Sequence, residues 1–581
     1  MKKRQISIWM LVAAVAVAND AFAEDAYIEG DGTQSIVTDY YPNPATKIVA
    51  DYAYTATTAQ MAVFGCDGNL VVRHYINGSG GYAFAFRDSS GDWLPVVPSG
   101  QLTVTTDRRT FVLDGPNKTA TLYTGGEVTA TRATATATKT ASMPLAIFAY
   151  TSSWYLSGQS GCAKLRLYSL AIYENDAIVH YYKPYRSADG KFSGLKDLCT
   201  GKILIDYLSF APFTCGGDIS DNPTWDLDGV AQPAYSTPTY VDDTGDDLVL
   251  DAPLGAWVLE TPISTTKRTV KTGRGAVVLP SGNTFGDEFA VTNGFVAADY
   301  TASGLSSTHI TLFGTNNMFP GMLVPFGSTF TAPVAASGAG TIRITGWAGF
   351  RPFDADLTVN LGGDGRLLTN GVDGFTPTEF DLCWSRHHTL TFANDLALNA
   401  RSFILKNGLM SGQKPMYLTG RITDTYPSGN GSDIKYYDGP AVFVGREDIE
   451  GLRGWLMYSG SQYFSNCTFR ARKDINFGGG SALAVATFKD CDKWGTDSWD
   501  FINGSPGTTL TVDGGRWSSP LRFHVGYTTA GKTGTLVITN DAQFSLSCLR
   551  QNSGVINMYS GMFAITNAGD NSDSAIGRRG D

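Results

Sequence analysis

KLRLYSLAIYENDAIVHYYKPYRSADGKFSGLKDLCTGK, residues Lys164–Lys202, decides the fold of the first part of this chain. Lys164 to Tyr173 is dense in Leu, Ile and Tyr and reads as a strand. Glu174-Asn175-Asp176 is a turn. Ala177 to Tyr182 is a second strand of the same bias, and Pro184 is expected to end it because proline cannot donate into a ladder. Leu165, Leu167 and Ala171 lie on one face of the first strand and Tyr168, Leu170 and Ile172 on the other. A strand that is apolar on both faces belongs inside a layered β structure rather than on an open hairpin. Ala188-Asp189-Gly190 and Gly194-Leu195-Lys196-Asp197 supply the next turns.

These residues resemble the closing strands of the LamG-like branch of the concanavalin A-like jelly rolls in bacterial surface proteins. There a "lYSfkIYe" strand, a short turn, a "lv..f.P.r" strand and a "dGkvGLYD...Gk" tail follow one another. Tyr27-Ile28-Glu29, Gly32-Thr33-Gln34, Thr38, Tyr40 and Pro42-Asn43-Pro44 are similar to that family's opening strand and loop, and Ala146 to Tyr150 to its "lyLFA" strand. Val37 and Asp39 stand where the family has Asp and Gly, and Lys196 stands in place of the tail tyrosine. The resemblance covers about residues 25–215 and implies a two-sheet jelly roll. It implies no particular ligand, since one fold hosts many functions.

Upstream, Lys2, Lys3 and Arg4 precede an apolar run from Ile6 to Val17, and Ala21-Phe22-Ala23 is a small-x-small cleavage site. This is the pattern of a secretory signal peptide, with the mature chain beginning at Glu24. No other apolar run approaches the roughly 18 residues of a spanning helix, so no transmembrane segment is expected after signal removal. The formal net charge is −10. Removing the signal takes away three positive charges and one negative, leaving about −12. An acidic exported chain lacks the basic patches that nucleic acid demands. Glycine is abundant, at 66 residues, and charged residues make up only 17%, which suits many short strands joined by turns.

The eight cysteines are an even number in an exported protein, which permits disulfides. Cys199 and Cys215 flank one loop at the end of the jelly roll and form the preferred pair; Cys66 with Cys162 is a second pairing. No Cys/His group has zinc spacing. Tyr82, Phe84 and Phe86 alternate along a strand, as one buried face would, with a sugar-stacking platform as the alternative. Trp154 and Tyr155, in a Ser/Gly-rich loop, are the candidate ligand-binding aromatics for a sugar. Residues 216–262, rich in proline, read as a linker. Within it Asp242, Asp243, Asp246 and Asp247 surround a Gly turn and offer the oxygens of a calcium site, against the alternative of a solvated acidic linker. No other cofactor is implied.

From about Arg268 the texture changes to short β-branched segments separated by Gly, Asn and Asp. Tyr463–Phe469 is echoed by Thr487–Asp492, and Thr508–Gly515 by Gly534–Asn540 and Gly554–Gly561. Intervals of roughly 20–27 residues are those at which each repeat makes one coil of a solenoid. Cys467 and Cys491 are then expected one above the other, pointing inward. The units resemble the "vtFkNCtF" and "GtLtvtgG" coils of autotransporter-type β-helices. Ala575-Ile576-Gly577-Arg578 looks like the start of a further coil, so the chain is expected to be part of a longer protein.

The expected fold is therefore all-β. It consists of a signal peptide (1–23), a LamG-like jelly-roll sandwich (24–215), a linker (216–262) and a right-handed parallel β-helix (263–581). The expected function is an exported cell-surface protein with a non-catalytic binding or adhesion role, its jelly roll engaging a glycan or a surface protein and its β-helix acting as a stalk. A polysaccharide lyase or glycoside hydrolase is the alternative, with Asp490, Asp492, Asp497 and Asp500 as the catalytic carboxylates and Lys489 and Arg516 beside them. A purely structural stalk is the third reading. Asp and Asn also favour β-helix corners, which makes that Asp cluster ambiguous.

Overall fold

The structure is a computed structural model. It describes residues 25–566 except 58–60, 77–80, 89–103, 152–161, 207–209, 211, 228, 232–240, 316–319, 400, 409–412, 425–432, 445–448, 451–453, 472–474, 479–482, 496–498, 503, 520, 527–532 and 552. The signal segment, Trp154, Tyr155, Asp497 and the 575–578 repeat lie outside the described residues. The protein is all-β, and a parallel β-solenoid of about 11 turns runs over residues ~248–558. The chain divides into two compact units, Met1–Thr261 with Thr272–Pro280, and Pro262–Lys271 with Ser281–Asp581.

The first unit contains two antiparallel sheets. In one, Leu165–Glu174 is the hub: Thr46–Tyr54 runs along one edge, and Tyr27–Glu29 and Ala177–Arg186 share the other. Asn175 and Asp176 close the hairpin at φ of 50° and 66°, the left-handed pair that matches strand twist. The strand does not stop at Pro184. It runs to Arg186, because beyond Tyr182 it pairs with Ser193–Asp197 and no longer with Leu165–Glu174. A residue without an N–H is tolerated on such a stretch. The second sheet is built from Ile36–Val37, Ala146–Ile147, Ala62–Cys66, Leu70–Ile76 and Tyr82–Asp88. Tyr82, Phe84 and Phe86 are buried, so the aromatic row is core. Phe111 of the first sheet meets His74 face to face with ring centres 3.8 Å apart, and packs against Phe64 and Phe84 of the second.

Two corrections concern the stretch read as a linker. Leu248–Asp251 and Ala256–Val258 are strands, and Leu248, Leu250, Ala256 and Trp257 are buried. Ala256–Val258 pairs antiparallel with Ile203–Ile205 and parallel with Ala276–Val278, so parallel stacking begins before residue 263. The prolines and aspartates around these short strands masked their alternating apolar pattern.

In the second unit, three parallel ladders develop. One contains Ile342–Phe350, Phe375–Leu382, Phe403–Asn407, Asp433–Asp438, Gly454–Met457 and Ile475–Phe477. A second contains Pro440–Val444, Gly460–Ser465, Ala484–Lys489, Thr509–Asp513 and Thr535–Thr539. The third contains Thr468–Ala471, Asp492–Gly495, Arg516–Ser519 and Gln543–Leu546. The echoes seen in the sequence become rungs: Phe464 lies opposite Phe488, and Thr509 opposite Thr535. Inward columns are apolar and stacked. Phe443, Phe464 and Phe488 follow one another at 4.5 and 4.4 Å, and Trp517 and Phe544 at 5.9 Å. Burying each such side chain stabilises by roughly 1.5–3 kcal/mol, so the aromatic columns carry much of the holding energy between coils.

Candidate functional site

On the outer face of the solenoid, Glu288–Val291, His309–Gly314 and Ile342–Phe350 stack as parallel rungs. The register puts Glu288 opposite His309 and Thr311 opposite Arg343. Because side chains alternate along a strand, all four point away from the lumen. Glu288, His309 and Arg343 line a groove of about 750 Å³ whose walls add the hydroxyls of Thr265, Thr266, Thr284, Ser307 and Ser337 and the ring of Phe285. Phe289, buried beneath, holds Phe285 edge to face with ring centres 4.8 Å apart.

The floor is preorganised. Arg268 Nε donates to Glu288 Oε2 at 2.7 Å, and the Thr311 hydroxyl donates to Oε1 at 2.6 Å. Burial would raise the Glu288 pKa, but these two donors outweigh it and hold the carboxyl below its ordinary range. His309 Nδ1 lies 2.7 Å from Thr341 Oγ1, and burial lowers its pKa despite the nearby Glu288. The imidazole is therefore neutral at pH 7. Two charged groups of the groove remain uncommitted: Arg343 and Asp287 are exposed, and neither side chain makes an ion pair among the described residues. A polar groove with donors, acceptors, one guanidinium, one carboxylate and one anchored ring suits a polyhydroxylated ligand with an apolar face.

A second constellation is chemically rich but closed. Glu379 and Asp381 project from the same face of Phe375–Leu382, and Lys406 is the rung partner of Asp381. Lys406 Nζ lies 3.1 Å from Glu379 Oε1, and Trp384 Nε1 donates to Asp381 Oδ1 at 3.1 Å. Asp438 completes the group and exchanges hydrogen bonds with Ser459. Burial raises the pKa of Glu379, Asp381 and Asp438, with Lys406 opposing it. Glu379, Asp381 and Lys406 are buried, which sets the cluster apart from the open groove. The sequence reading missed this cluster. Its signal was the alternation of Glu379 and Asp381 with a lysine one coil later, legible only with the register known.

The described members of the Asp group read from the sequence, Asp490, Asp492 and Asp500, lie in different parts of the coil. Asp490 sits at a corner with φ of 51°, its N–H donating to Asp513 O at 2.8 Å. Asn466, Gly514 and Asn540 occupy the matching left-handed corners of neighbouring coils, which is the turn role of Asp and Asn. Asp492 is half-buried on the outer face in the same rung as Arg516. Asp500 faces the opposite way, into the lumen. Its carboxylate is 2.5 Å from Lys493 Nζ, both side chains are 0% exposed, and Ile475 N and Trp517 Nε1 also donate to it. Asp490 and Asp492 are thus separated from Asp500 by the coil wall.

The remaining sequence-derived sites resolve as follows. Cys467 and Cys491 stack inward as expected, with Cys467 N 3.4 Å from Cys491 Sγ and no disulfide between them. Cys199 and Cys215 stand unbridged in different surroundings. Cys199 is packed among Ala171, Tyr173, Tyr181 and Leu198, whereas Cys215 lies on the strand paired with Tyr27–Glu29. Cys66 and Cys162 are likewise unbridged. Asp242, Asp243, Asp246 and Asp247 do not converge. Asp242 Oδ1 accepts the N–H and hydroxyl of Thr244 in the bend between Val241–Asp242 and Leu248–Asp251, and no group of three metal-ligating side chains occurs among the described residues. No helix is long and apolar enough to cross a membrane among the described residues. No protein-family model matches the chain, and neither does any curated protein or solved structure.

Proposed function

We propose that this is an exported surface protein with a non-catalytic binding role, and that its ligand is a glycan held in the solenoid groove of Phe285, Asp287, Glu288, His309 and Arg343. In this reading the first unit is a LamG-like jelly roll and the solenoid serves both as stalk and as binding surface. The observation that carries the proposal is an open, hydroxyl-walled groove in which one guanidinium and one carboxylate stand uncommitted beside an anchored ring. Sugar hydroxyls both donate and accept, and their C–H faces pack on aromatic rings, so such a lining satisfies both demands. Export is supported by the basic, apolar and small-residue order of Lys2 to Ala23. The absence of catalysis is supported by the separation of the Asp490 group and the closure of the Glu379 cluster, since hydrolysis demands two carboxyls facing one bond.

The test is retention of the mature chain on a panel of immobilised neutral and acidic polysaccharides. Retention on at least one is expected, weakened about 10-fold or more by Arg343→Ala, the loss typical of a hydrogen bond to a charged group. Asp287→Asn is expected to act on the same glycan. Retention untouched by both variants would remove the groove as the site. Release of reducing ends or unsaturated products by the wild type would replace the binding role with an enzymatic one.

A further inference from the structure

One end of the interior of the first unit is polar. Tyr52 and Tyr54 reach it from Thr46–Tyr54, His74 from Leu70–Ile76, Tyr82 from Tyr82–Asp88, and Arg109 from the start of Arg109–Asp114. Away from this end the same strands contribute Ile48, Ala50, Leu70, Val72, Phe86 and Leu113, all buried. Arg109 is only 6% exposed, yet among the described residues no carboxylate forms an ion pair with it. Its Nη2 donates to Thr105 Oγ1 at 2.9 Å and its guanidinium carbon lies 5.3 Å from the Tyr82 ring centre. Among the described residues, its Nε–H and both Nη1–H groups have no acceptor.

The charge balance around this guanidinium is one-sided. The Tyr52 hydroxyl bonds His74 Nε2 at 2.6 Å, and burial pushes the His74 pKa down to about 3, so the ring is neutral. Burial likewise keeps Tyr52, Tyr54 and Tyr82 protonated. Asp51 is committed to Arg108, through Nε at 3.0 Å and Nη2 at 2.6 Å. Asp107 is exposed and reaches Arg109 only through the Thr105 hydroxyl, which donates to it at 2.7 Å. A buried, unpaired cation with idle donors is costly unless an anion joins it.

We propose that this polar end of the first unit binds an oxyanion, a carboxylate or sulfate group, with Arg109 as its principal contact and Tyr82 beside it. The chemistry is that of guanidinium recognition: a planar cation matching oxygen pairs while a ring covers its face. The site shares no residue with the solenoid groove, and its ligand is defined by a negative charge.

Hydrogen exchange of the full mature chain, read on peptides covering residues 104–124, tests this with sodium sulfate and sodium acetate against sodium chloride at matched ionic strength. Sulfate or acetate, at about ten times its Kd, is expected to slow exchange there about 10-fold in the wild type. Whichever anion acts identifies the group, and a response to both is that of a general oxyanion site. Arg109→Met is expected to abolish the response. Should that variant not fold, Thr105→Asp decides, because it places a carboxylate against Arg109 from within. That variant is expected to be protected without added anion and insensitive to it. Equal protection by chloride, no protection by any anion, or an unchanged response in Thr105→Asp would overturn the proposal.

Discussion

The ion pair inside the solenoid permits a quantitative test. Lys493 takes the place of an aromatic in one inward column, between Phe469 and Trp517. In a neighbouring column Asp500 is the rung partner of Phe523, with Ile475 donating its N–H from the coil before. Lys493→Met keeps a flexible apolar stem of similar length but leaves Asp500 without its counter-charge. Breaking one side of a buried pair costs about 3–5 kcal/mol. Here Ile475 N at 3.2 Å and Trp517 Nε1 at 3.3 Å remain on the carboxylate, which places the expected loss near the lower end of that range, about 3 kcal/mol. At about 1.4 kcal/mol per decade, local opening becomes roughly 100-fold more frequent. Because coils couple mainly to their neighbours, the change is centred on Asp492–Gly495 and Trp499–Ile502 and reaches peptides around Ile475–Phe477, Arg516–Ser519 and Arg522–Val525. The assay is hydrogen exchange followed by mass spectrometry. The double variant Lys493→Met/Asp500→Leu removes both charges and is expected to recover most of the protection, since an apolar replacement of a buried pair is often neutral. Equal losses in single and double variants, or no loss in the single one, would refute the view that a stranded charge governs the effect.

Two further outcomes are expected. The Glu379 cluster makes its coils sensitive to alkali: burial raises the folded-state pKa of Glu379, Asp381 and Asp438, so the stabilisation is whole below the ordinary carboxylate range and drains away as pH rises through the folded values. Exchange of Phe375–Leu382, corrected for intrinsic rate, should therefore quicken from acid towards neutrality, and Glu379→Gln/Asp381→Asn should flatten that slope; a slope shared by both proteins contradicts the assignment. Non-reducing peptide mapping should recover Cys199 and Cys215 as unlinked thiols, and native alkylation should reach half-buried Cys215 and Cys548 before Cys467 and Cys491; a Cys199–Cys215 peptide would restore the clasp.

Period was legible in the sequence where it produced direct chemical likeness. Phe464 and Phe488 recur 24 positions apart and become rung partners, and Cys467 and Cys491 stack as their matching contexts implied. The Asn175–Asp176 turn was equally plain, because few residues accept two left-handed positions in a row. Leu248–Asp251 and Ala256–Val258 were hidden because short strands flanked by Pro and Asp look like linker until a neighbour covers them. The direction in which a carboxylate points was not legible either. Asp490, Asp492 and Asp500 fall within a few positions of one another, yet they occupy a corner, an outer face and the lumen. Asp490 directly follows one strand, while Asp492 and Asp500 lie on different strands of one coil, and only the register of each strand says which face its side chains take. The groove was missed for the same reason, since Glu288, His309 and Arg343 come from three coils.

The corner occupied by Asn466, Asp490, Gly514 and Asn540 bears on how such a molecule can change over time. From Gly460 onward, the strand before this corner and the strand after it are separated by two or three residues in every coil. The corner between Ile475–Phe477 and Ala484–Lys489 is longer, and that between Arg522–Val525 and Thr535–Thr539 longer again. One edge of the solenoid is therefore a seam of fixed length, set by backbone that few residues can adopt, whereas another accepts insertions without disturbing the columns inside. New loops, and any new specificity they bring, can be added along the permissive edge coil by coil. The seam keeps the stack in step while they accumulate.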